Sequence, residues 1–547
     1  MNTLKKRLNM KQLSMVSFSF LLACYFTAVV NLPILAELHH ILSALQSVKI
    51  GFILSIPIFF IAAFNFIFSL FSWPLIARPF FMVLVIVSSI VSYAMYNYGV
   101  LIDYGMIENI AETDTSEASS YLSSYSVLWI LLMGGGPALL ISKVKFTPIG
   151  SKTKLLVTKS VSMGLSLIVI AIIALLYYKD YSSVGRNNSY LNKMIIPTHL
   201  MYSATKYINK TYFAAPIEYR KIGLDAKQSP KSVAAEKPTL MVFILGETAR
   251  SQNQELNGYS RSTNRYTRGK NIISFHDVSS CGTATAVSVP CMYSQLPKRD
   301  YDKRLANHQD NFLDIMKRAG ISLLWKDNDS GDKGVAKNIT YQEIKRNIKS
   351  KYCNGNTCYD MALLENFDSD VRSLEGNRML SLHLIGSHGP TYFQRYPDEH
   401  RIFTPDCPRS DIENCNLDEI INTYDNTILY SDYVISQTIE KLEKLESEFN
   451  TALFYISDHG ESMGENGLFL HGTPYKLAPD FQTKVPMMVW MSEDFKQAKN
   501  IDSKCLNQVA QQRSYSQDNV FHSMLGIMDV DTKVYQPELD LFSSCRT

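Results

Sequence analysis

Three short polar clusters carry residue types able to do phosphoryl or hydrolytic chemistry, and each directly follows an apolar run. Leu245 leads into Gly246, Glu247 and Thr248; Ile385 into Gly386, Ser387, His388 and Gly389; Ser457 into Asp458, His459, Gly460, Glu461 and Ser462. A carboxylate from one cluster and an Asp–His pair from another supply hard oxygen and imidazole, the mixture that zinc takes in hydrolytic or transfer sites. Singly, a strand-end Glu or His is more often a cap or a satisfied surface group. A fourth segment raises the odds. In Ser280 to Ser294 (SCGTATAVSVPCMYS), two cysteines ten residues apart enclose small residues and hydroxyls. This composition suits a rigid Gly-Thr-Ala-Thr turn opening a helix, where N-terminal N–H groups would stabilise an attacked phosphate. Metal coordination of a hydroxyl there would lower its pKa and make it a nucleophile at neutral pH.

Strands and helices must bring these clusters together. The runs Thr239 to Leu245, Ile321 to Trp325, Met379 to Ile385, Leu453 to Ser457 and Val485 to Met491 read as buried strands, and 309–319, 415–449 and 515–527 as helices. Their alternation predicts an α/β domain with a largely parallel sheet, with ligands bound beyond the carboxyl ends of the strands. His383, alternating with apolar neighbours, reads as a satisfied core histidine. Ser457 and Ser462 flank the Asp–His pair as caps.

This α/β domain is only part of the chain. The 547 residues carry 54 basic and 51 acidic groups, a formal charge of +3. Residues 1–178 hold 11 basic and 6 acidic ones, and the remainder 43 and 45. Neither part has the basic excess of a nucleic-acid-binding protein, and 46% apolar residues exclude a disordered or collagenous chain. Five segments, 13–35, 50–73, 79–100, 124–142 and 157–178, are long and apolar enough to cross a bilayer. The first lacks a cleavage pattern and is expected to remain as an anchor. Lys5, Lys6, Arg7 and Lys11 precede it, Arg78 lies between the second and third, and Lys143, Lys145, Lys152 and Lys154 lie between the fourth and fifth. The opposite loops carry Lys49 and the acidic Asp103, Glu108, Glu112, Asp114 and Glu117. The positive-inside rule then puts the N-terminus in the cytoplasm and exports everything after 178.

Cysteine usage agrees with that orientation, because disulfides persist outside the cytosol. Cys24, within the first apolar segment, reads as a small buried apolar residue. The other eight all lie in the exported part. Their spacing suggests Cys281–Cys291, Cys353–Cys358 and Cys407–Cys415, leaving Cys505 and Cys545, although eight cysteines alone permit many connectivities. Residues 179–237 read as a connector with interfacial amphipathic helices. The division expected is therefore a membrane domain at 1–178, a connector at 179–237 and an exported catalytic domain at 238–547. Gly134 to Gly136 with Pro137 is either a close helix-packing point or a kink.

The segments GETAR (Gly246 to Arg250), NGY (Asn257 to Tyr259), SCGTATAVSVPCM (Ser280 to Met292), SHGPTY (Ser387 to Tyr392) and SDHGESMGENGLFLHG (Ser457 to Gly472) resemble the bacterial lipid A phosphoethanolamine transferases. That family includes the mobile colistin-resistance enzymes. The resemblance runs over nearly the whole chain and implies a catalytic domain of alkaline-phosphatase type in the periplasm, attached to a multi-pass Gram-negative inner-membrane module. It implies Thr285 as nucleophile and a zinc ion held by Glu247, Thr285, Asp458 and His459. His388 and His471 match histidines near the phosphate site, which would protonate the leaving oxygen, assist the incoming phosphate or bind a second zinc. Ser330 and Lys333 match residues that contact the phosphoethanolamine group.

In the loop after the third span, Asn109, Thr113 and Glu117 sit at a family-like spacing of four that puts all three on one helical face, and the resemblance implies that they bind substrate, with Glu117 pairing with the donor's ammonium. The implied reaction moves phosphoethanolamine from phosphatidylethanolamine through a phospho-threonine to a lipid A phosphate, by a monomer among membrane lipids. The lipopolysaccharide inner core is the alternative acceptor. Many relatives carry a cysteine pair around the substrate lysine, where this chain has Asp332 and Ala336, so that loop is expected to lack a staple.

Overall fold

The computed structural model describes residues 12–45, 48–113, 115–148 and 150–546, without the side chains of Ser116 and Glu117. Lys5, Lys6, Arg7 and Lys11, on which the predicted orientation partly rests, lie outside the described residues, as does Asp114. The chain forms two compact units. One takes the residues up to Tyr104 together with Ser123–Asn209, and the other takes Gly105–Leu122 together with Lys210 to the C-terminus.

The first unit is helical. Among the described residues, helices α3 (Ile50–Phe71), α4 (Ala77–Tyr98) and α9 (Lys152–Asn187) are each long and apolar enough to cross a membrane. So is the run Ser124–Lys143, made of α7 (Ser124–Ile130), a π turn and α8 (Gly136–Lys143). The first predicted span is interrupted. α1 (Met15–Tyr25) continues as a π turn to Val30, and α2 (Leu32–Ser43) departs at 59°. Pro33 sits in the first turn of α2, where its missing N–H costs nothing. Asn31 fills the break, donating from Nδ2 to Phe26 O at 2.9 Å and accepting from Ile196 N at 2.9 Å. Gly134 is a packing point: a Cβ there would collide with Ser89 Oγ and approach Ile86 Cα to 3.3 Å. α10 (Thr198–Ile208) completes this unit.

The second unit is built on a seven-stranded mixed sheet. Its strands are β1 (Thr239–Gly246), β2 (Ile273–Phe275), β3 (Ser322–Asp327), β4 (Thr340–Glu343), β5 (Arg378–His383), β6 (Asn450–Ser457) and β7 (Met487–Met491). Their order is β2-β7-β6-β1-β5-β3-β4. The five strands from β6 to β4 are parallel, whereas β7 runs antiparallel to both β6 and β2. The parallel sheet expected from sequence thus holds for its central strands but not for β7, since apolar patterning carries no information on strand direction.

β1, β5 and β6 are buried along their whole length, so both faces need cover. On one face lie α11 (Thr285–Tyr293), α12 (Phe312–Arg318) and α14 (Asp518–Ile527), with Phe243, Phe312 and Tyr293 in a single core. On the other lies α13 (Leu417–Lys444). α13 starts at a capping box formed by Asn416 and Glu419, carries Asp418 and Glu419 in its first turn, and ends with Lys441 and Lys444, all favourable to its dipole. The four disulfides are Cys281–Cys291, Cys353–Cys358, Cys407–Cys415 and Cys505–Cys545, and Cys24 is unpaired.

Phe243 is fully buried at the sheet centre, stacked on Phe454 at 5.4 Å between centroids. Phe243→Ala is expected to cost about 3–5 kcal/mol, read as a lowered denaturation midpoint of the detergent-solubilised chain.

Candidate metal and nucleophile site

The sheet register places the chemistry. Gly246 pairs with Ser457 and Leu245 with His383 across parallel neighbours, and Asp327 pairs with His383 on the next strand. The residues at or just beyond these strand ends, Asp458, Glu247, His383 and Asp327, therefore stand side by side at the carboxyl edge of the sheet, where open α/β sheets bind ligands. Gly386, at φ 49°, folds back so tightly that a Cβ would lie 2.7 Å from Glu247 O. Thr248, at φ 59°, is a strained non-glycine residue. Its N–H donates to Asp458 Oδ1 at 3.0 Å.

Thr285 is the first residue of α11 and is buried. Its Oγ1 donates to Glu247 Oε2 at 3.2 Å and lies 3.3 Å from His459 Nε2. His459 Nε2 is also 3.2 Å from Asp458 Oδ2. One ligand atom from each of Glu247, Asp458 and His459 falls within 4.8 Å of the others, and all three residues are fully buried.

Two observations test whether this set fits a cation. Asp458 Oδ1 accepts from the N–H groups of Thr248 and His459, yet Oδ2 has no hydrogen-bond partner although buried. Burial, with the charges of Asp458 and Asp329, drives the Glu247 carboxyl well above the usual carboxylate range, the mark of anions crowded without a counter-charge. Meanwhile His459 Nδ1 faces Gly460 O at 2.9 Å, which fixes the ring so that Nε2 turns inward. The residues fit a borderline divalent cation such as zinc, with Thr285 Oγ1 as a fourth ligand.

The remaining predicted residues surround this centre. His471 lies tilted against His459, with ring centroids 4.6 Å apart, and the His388 ring centroid is 5.7 Å from that of His471. Glu461 supports His471 at 3.0 Å from Nδ1, and Tyr392 Oη donates to the same carboxylate at 2.6 Å. Lys333 Nζ donates to Ser330 Oγ at 2.7 Å, and Ser330 Oγ in turn to Asp329 Oδ2 at 2.9 Å. Burial would raise the Asp329 carboxyl, but His383, His388 and Lys333 outweigh that and hold it below the usual range. In place of a cysteine pair, Asp332 closes the Lys333 loop by accepting from Gly334 N at 3.2 Å and Ala336 N at 2.6 Å.

The segment carrying Asn109, Thr113 and Glu117 is two helices, α5 (Tyr104–Glu112) and α6 (Thr115–Ser120), so a common face does not follow from the spacing of four. Thr113 Oγ1 donates back to Asn109 O at 2.8 Å, and the Glu117 side chain is outside the described residues. Lys303 forms ion pairs with both Glu108 and Glu112 of α5. Ser119, Ser120 and Leu122 join Asp329, Ser330, His388, Arg346 and Arg395 around a cleft of about 400 Å³.

Gln517 is a site residue that the sequence does not announce. Its Oε1 accepts from Cys281 N at 2.6 Å, and its Nε2 donates to Ser457 O and Asp458 O. It thereby ties the Thr285 turn to the Asp–His strand end. No local pattern reveals it, because both contacts span long sequence separations.

A mixed sheet with a hydroxyl and three residues able to hold a cation at its carboxyl edge is the arrangement of the alkaline-phosphatase superfamily, and residues 239–530 match the Sulfatase family of that superfamily. Residues 60–212 match the family described as phosphoethanolamine transferase EptA/EptB. The chain is 36% identical over 543 residues to the phosphoethanolamine transferase EptA of Escherichia coli K12, covering 99% of both chains. It is 34% identical over 480 residues to the phosphatidylethanolamine transferase Mcr-1 of Escherichia coli, covering 86% and 88%. It also superimposes on the integral membrane protein lipooligosaccharide phosphoethanolamine transferase A of Neisseria meningitidis with a TM-score of 0.94, at 35% identity over 98% of this chain and 99% of that one. The chain belongs to the phosphoethanolamine transferase family and is an enzyme.

Gln517→Ala strands a buried N–H and two carbonyls. The expected result is a stability loss of roughly 1–3 kcal/mol together with weaker retention of metal, read by thermal unfolding and elemental analysis of the same preparation.

Proposed function

We propose that this chain is a zinc-dependent transferase that moves phosphoethanolamine from phosphatidylethanolamine to a lipid A phosphate through a covalent Thr285 intermediate. The observation that carries this reading is Thr285 Oγ1, buried at a helix N-terminus and within 3.3 Å of both Glu247 and His459. Zinc, when held by Glu247, Thr285, Asp458 and His459, would polarise the hydroxyl and the phosphoryl oxygens.

The protein's own groups divide the remaining work. In the first step Thr285 Oγ1 forms a bond to the donor phosphorus and the bond to diacylglycerol breaks. The hydroxyl proton leaves Thr285 Oγ1 as its bond to phosphorus forms, and His388 or His471 protonates the leaving diacylglycerol oxygen. In the second step an acceptor phosphate oxygen attacks the same phosphorus and Thr285 Oγ1 leaves, regaining a proton. The first-turn N–H groups of α11 face the charge that develops on phosphorus. Ser330, which lines the cleft, and Lys333, which donates to Ser330 Oγ, orient the phosphoethanolamine group. Asn109, Thr113 and Glu117 complete the donor site, with Glu117 opposite the ammonium. Arg346 and Arg395 give the cleft positive charge suited to an acceptor phosphate.

The bent α1–α2 pair counts as one span, making five with an N-terminus in the cytoplasm. Residues 1–178 form the inner-membrane domain, 179–237 the interfacial connector and 238–547 the periplasmic catalytic domain of a monomer. Both substrates are lipids, which accounts for a membrane module on a phosphotransfer domain. Adding an ammonium to an anionic acceptor weakens its attraction for polymyxin and other cationic peptides.

Mass spectrometry of lipid A from expressing cells tests the reading. Wild type should add phosphoethanolamine, and Thr285→Ala should add none and form no covalent adduct. Unchanged lipid A with a modified inner core would reassign the acceptor, and a fully active Thr285→Ala would sink the nucleophile. Chelation should abolish activity and zinc should restore it. Lys333→Ala should lower kcat/KM about 10–100-fold, as expected for one charge-assisted hydrogen bond.

A further inference from the structure

A second cluster opens on the other flank of Glu247. β5 pairs with β1 on the side opposite β6, and it ends at His383. One ligand atom each from Glu247, Asp329 and His383 lies within 4.8 Å of the others. Glu247 and His383 are fully buried, and the Asp329 side chain is 5% exposed.

The histidine is set up from behind. Its Nδ1 is 3.0 Å from Asp327 Oδ2, which also accepts from Trp325 Nε1 at 2.9 Å, so the ring orientation is fixed. Its Nε2 makes no hydrogen bond despite complete burial. Asp329 Oδ2, at 3.8 Å, stands beyond hydrogen-bond reach. Buried polar groups are almost always satisfied, and here the unsatisfied nitrogen lies 3.8 Å from the Asp329 carboxylate, in a cluster that also holds Glu247.

We propose that Glu247, Asp329 and His383 form a second zinc site that shares the Glu247 carboxylate with the first. Two carboxylate oxygens and one imidazole nitrogen suit zinc, whereas calcium takes six to eight oxygens. Asp327 behind His383 is the carboxylate–imidazole support that metal-bound histidines usually have. A carboxylate shared by two cations would give the site the two positive charges that two-metal phosphoryl-transfer sites bring to the attacking and leaving oxygens. Through the Asp329–Ser330–Lys333 chain of hydrogen bonds, the second ion would anchor the loop that lines the cleft. The inference rests on donor geometry and does not depend on the identity of the transferred group.

The full-length chain in detergent, stripped with chelator and reloaded with zinc, would be desalted and analysed by inductively coupled plasma mass spectrometry. Two zinc ions per wild-type chain are expected. His383→Asn and Asp329→Asn should each hold one, with the first site as an internal check of folding, and His459→Ala should lose the first while keeping the second. One ion per wild-type chain, or two in both His383→Asn and Asp329→Asn, overturns the proposal. Anomalous diffraction at the zinc edge gives an independent reading. A peak between Asp329 and His383 supports the site, and an empty position beside an occupied first site refutes it, leaving His383 as a protonated counter-charge to Asp329.

Discussion

Burying several carboxylates at adjacent strand ends is the constraint on which the rest of this structure depends. Glu247 and Asp458 leave neighbouring parallel strands in register, so the sheet itself forces their side chains together. Two anions that close and fully buried repel strongly unless a cation or a proton intervenes. The surroundings are organised around that demand. Thr248 is held at a strained φ so that its N–H meets Asp458, Gly460 O turns the His459 ring inward, and Gln517 fixes the turn before Thr285 to the same strand end. The fold thus stores unfavourable electrostatics where binding a metal would relieve it.

Much of this was legible in the sequence, and for identifiable reasons. Buried strands such as Thr239–Gly246 and Asn450–Ser457 announce themselves as apolar runs that break abruptly into polar residues, so Glu247, Asp458 and His459 could be picked out as strand-end groups. Cys281 and Cys291, ten residues apart, pair as their spacing suggests. What escaped was set by tertiary contact. The strand Thr340–Glu343 is exposed along its length and has no apolar signature. Gln517 acts only through partners far away in the chain. His383 was readable as a satisfied core histidine, which holds for Nδ1 and fails for Nε2.

The helical unit illustrates a related limit. Apolar composition marks where a helix can cross a bilayer but is silent on continuity. The first apolar segment contains a break at Asn31, stabilised by side-chain hydrogen bonds to Phe26 and Ile196 that replace lost helical ones. Between α7 and α8 a π turn passes through glycines, where Gly134 lets two backbones approach. Both irregularities place polar or small residues inside the helical packing, as expected where lipid cannot satisfy exposed backbone groups.

The segment Gly105–Leu122 lies in sequence between apolar helices yet belongs structurally to the unit that begins at Lys210. Its acidic side chains hold Lys303, and its last serines wall the cleft beside Asp329 and His388. A fragment cut after Asn209 would therefore be a truncated enzyme head, however well its sheet folded. It would keep Glu247, Asp458, His459 and Thr285 but lose one wall of the cleft and the partners of Lys303. For a lipid-modifying enzyme, the soluble fragment and the complete catalytic head are different objects, and chemistry measured on the fragment reports on the candidate metal site more faithfully than on substrate choice.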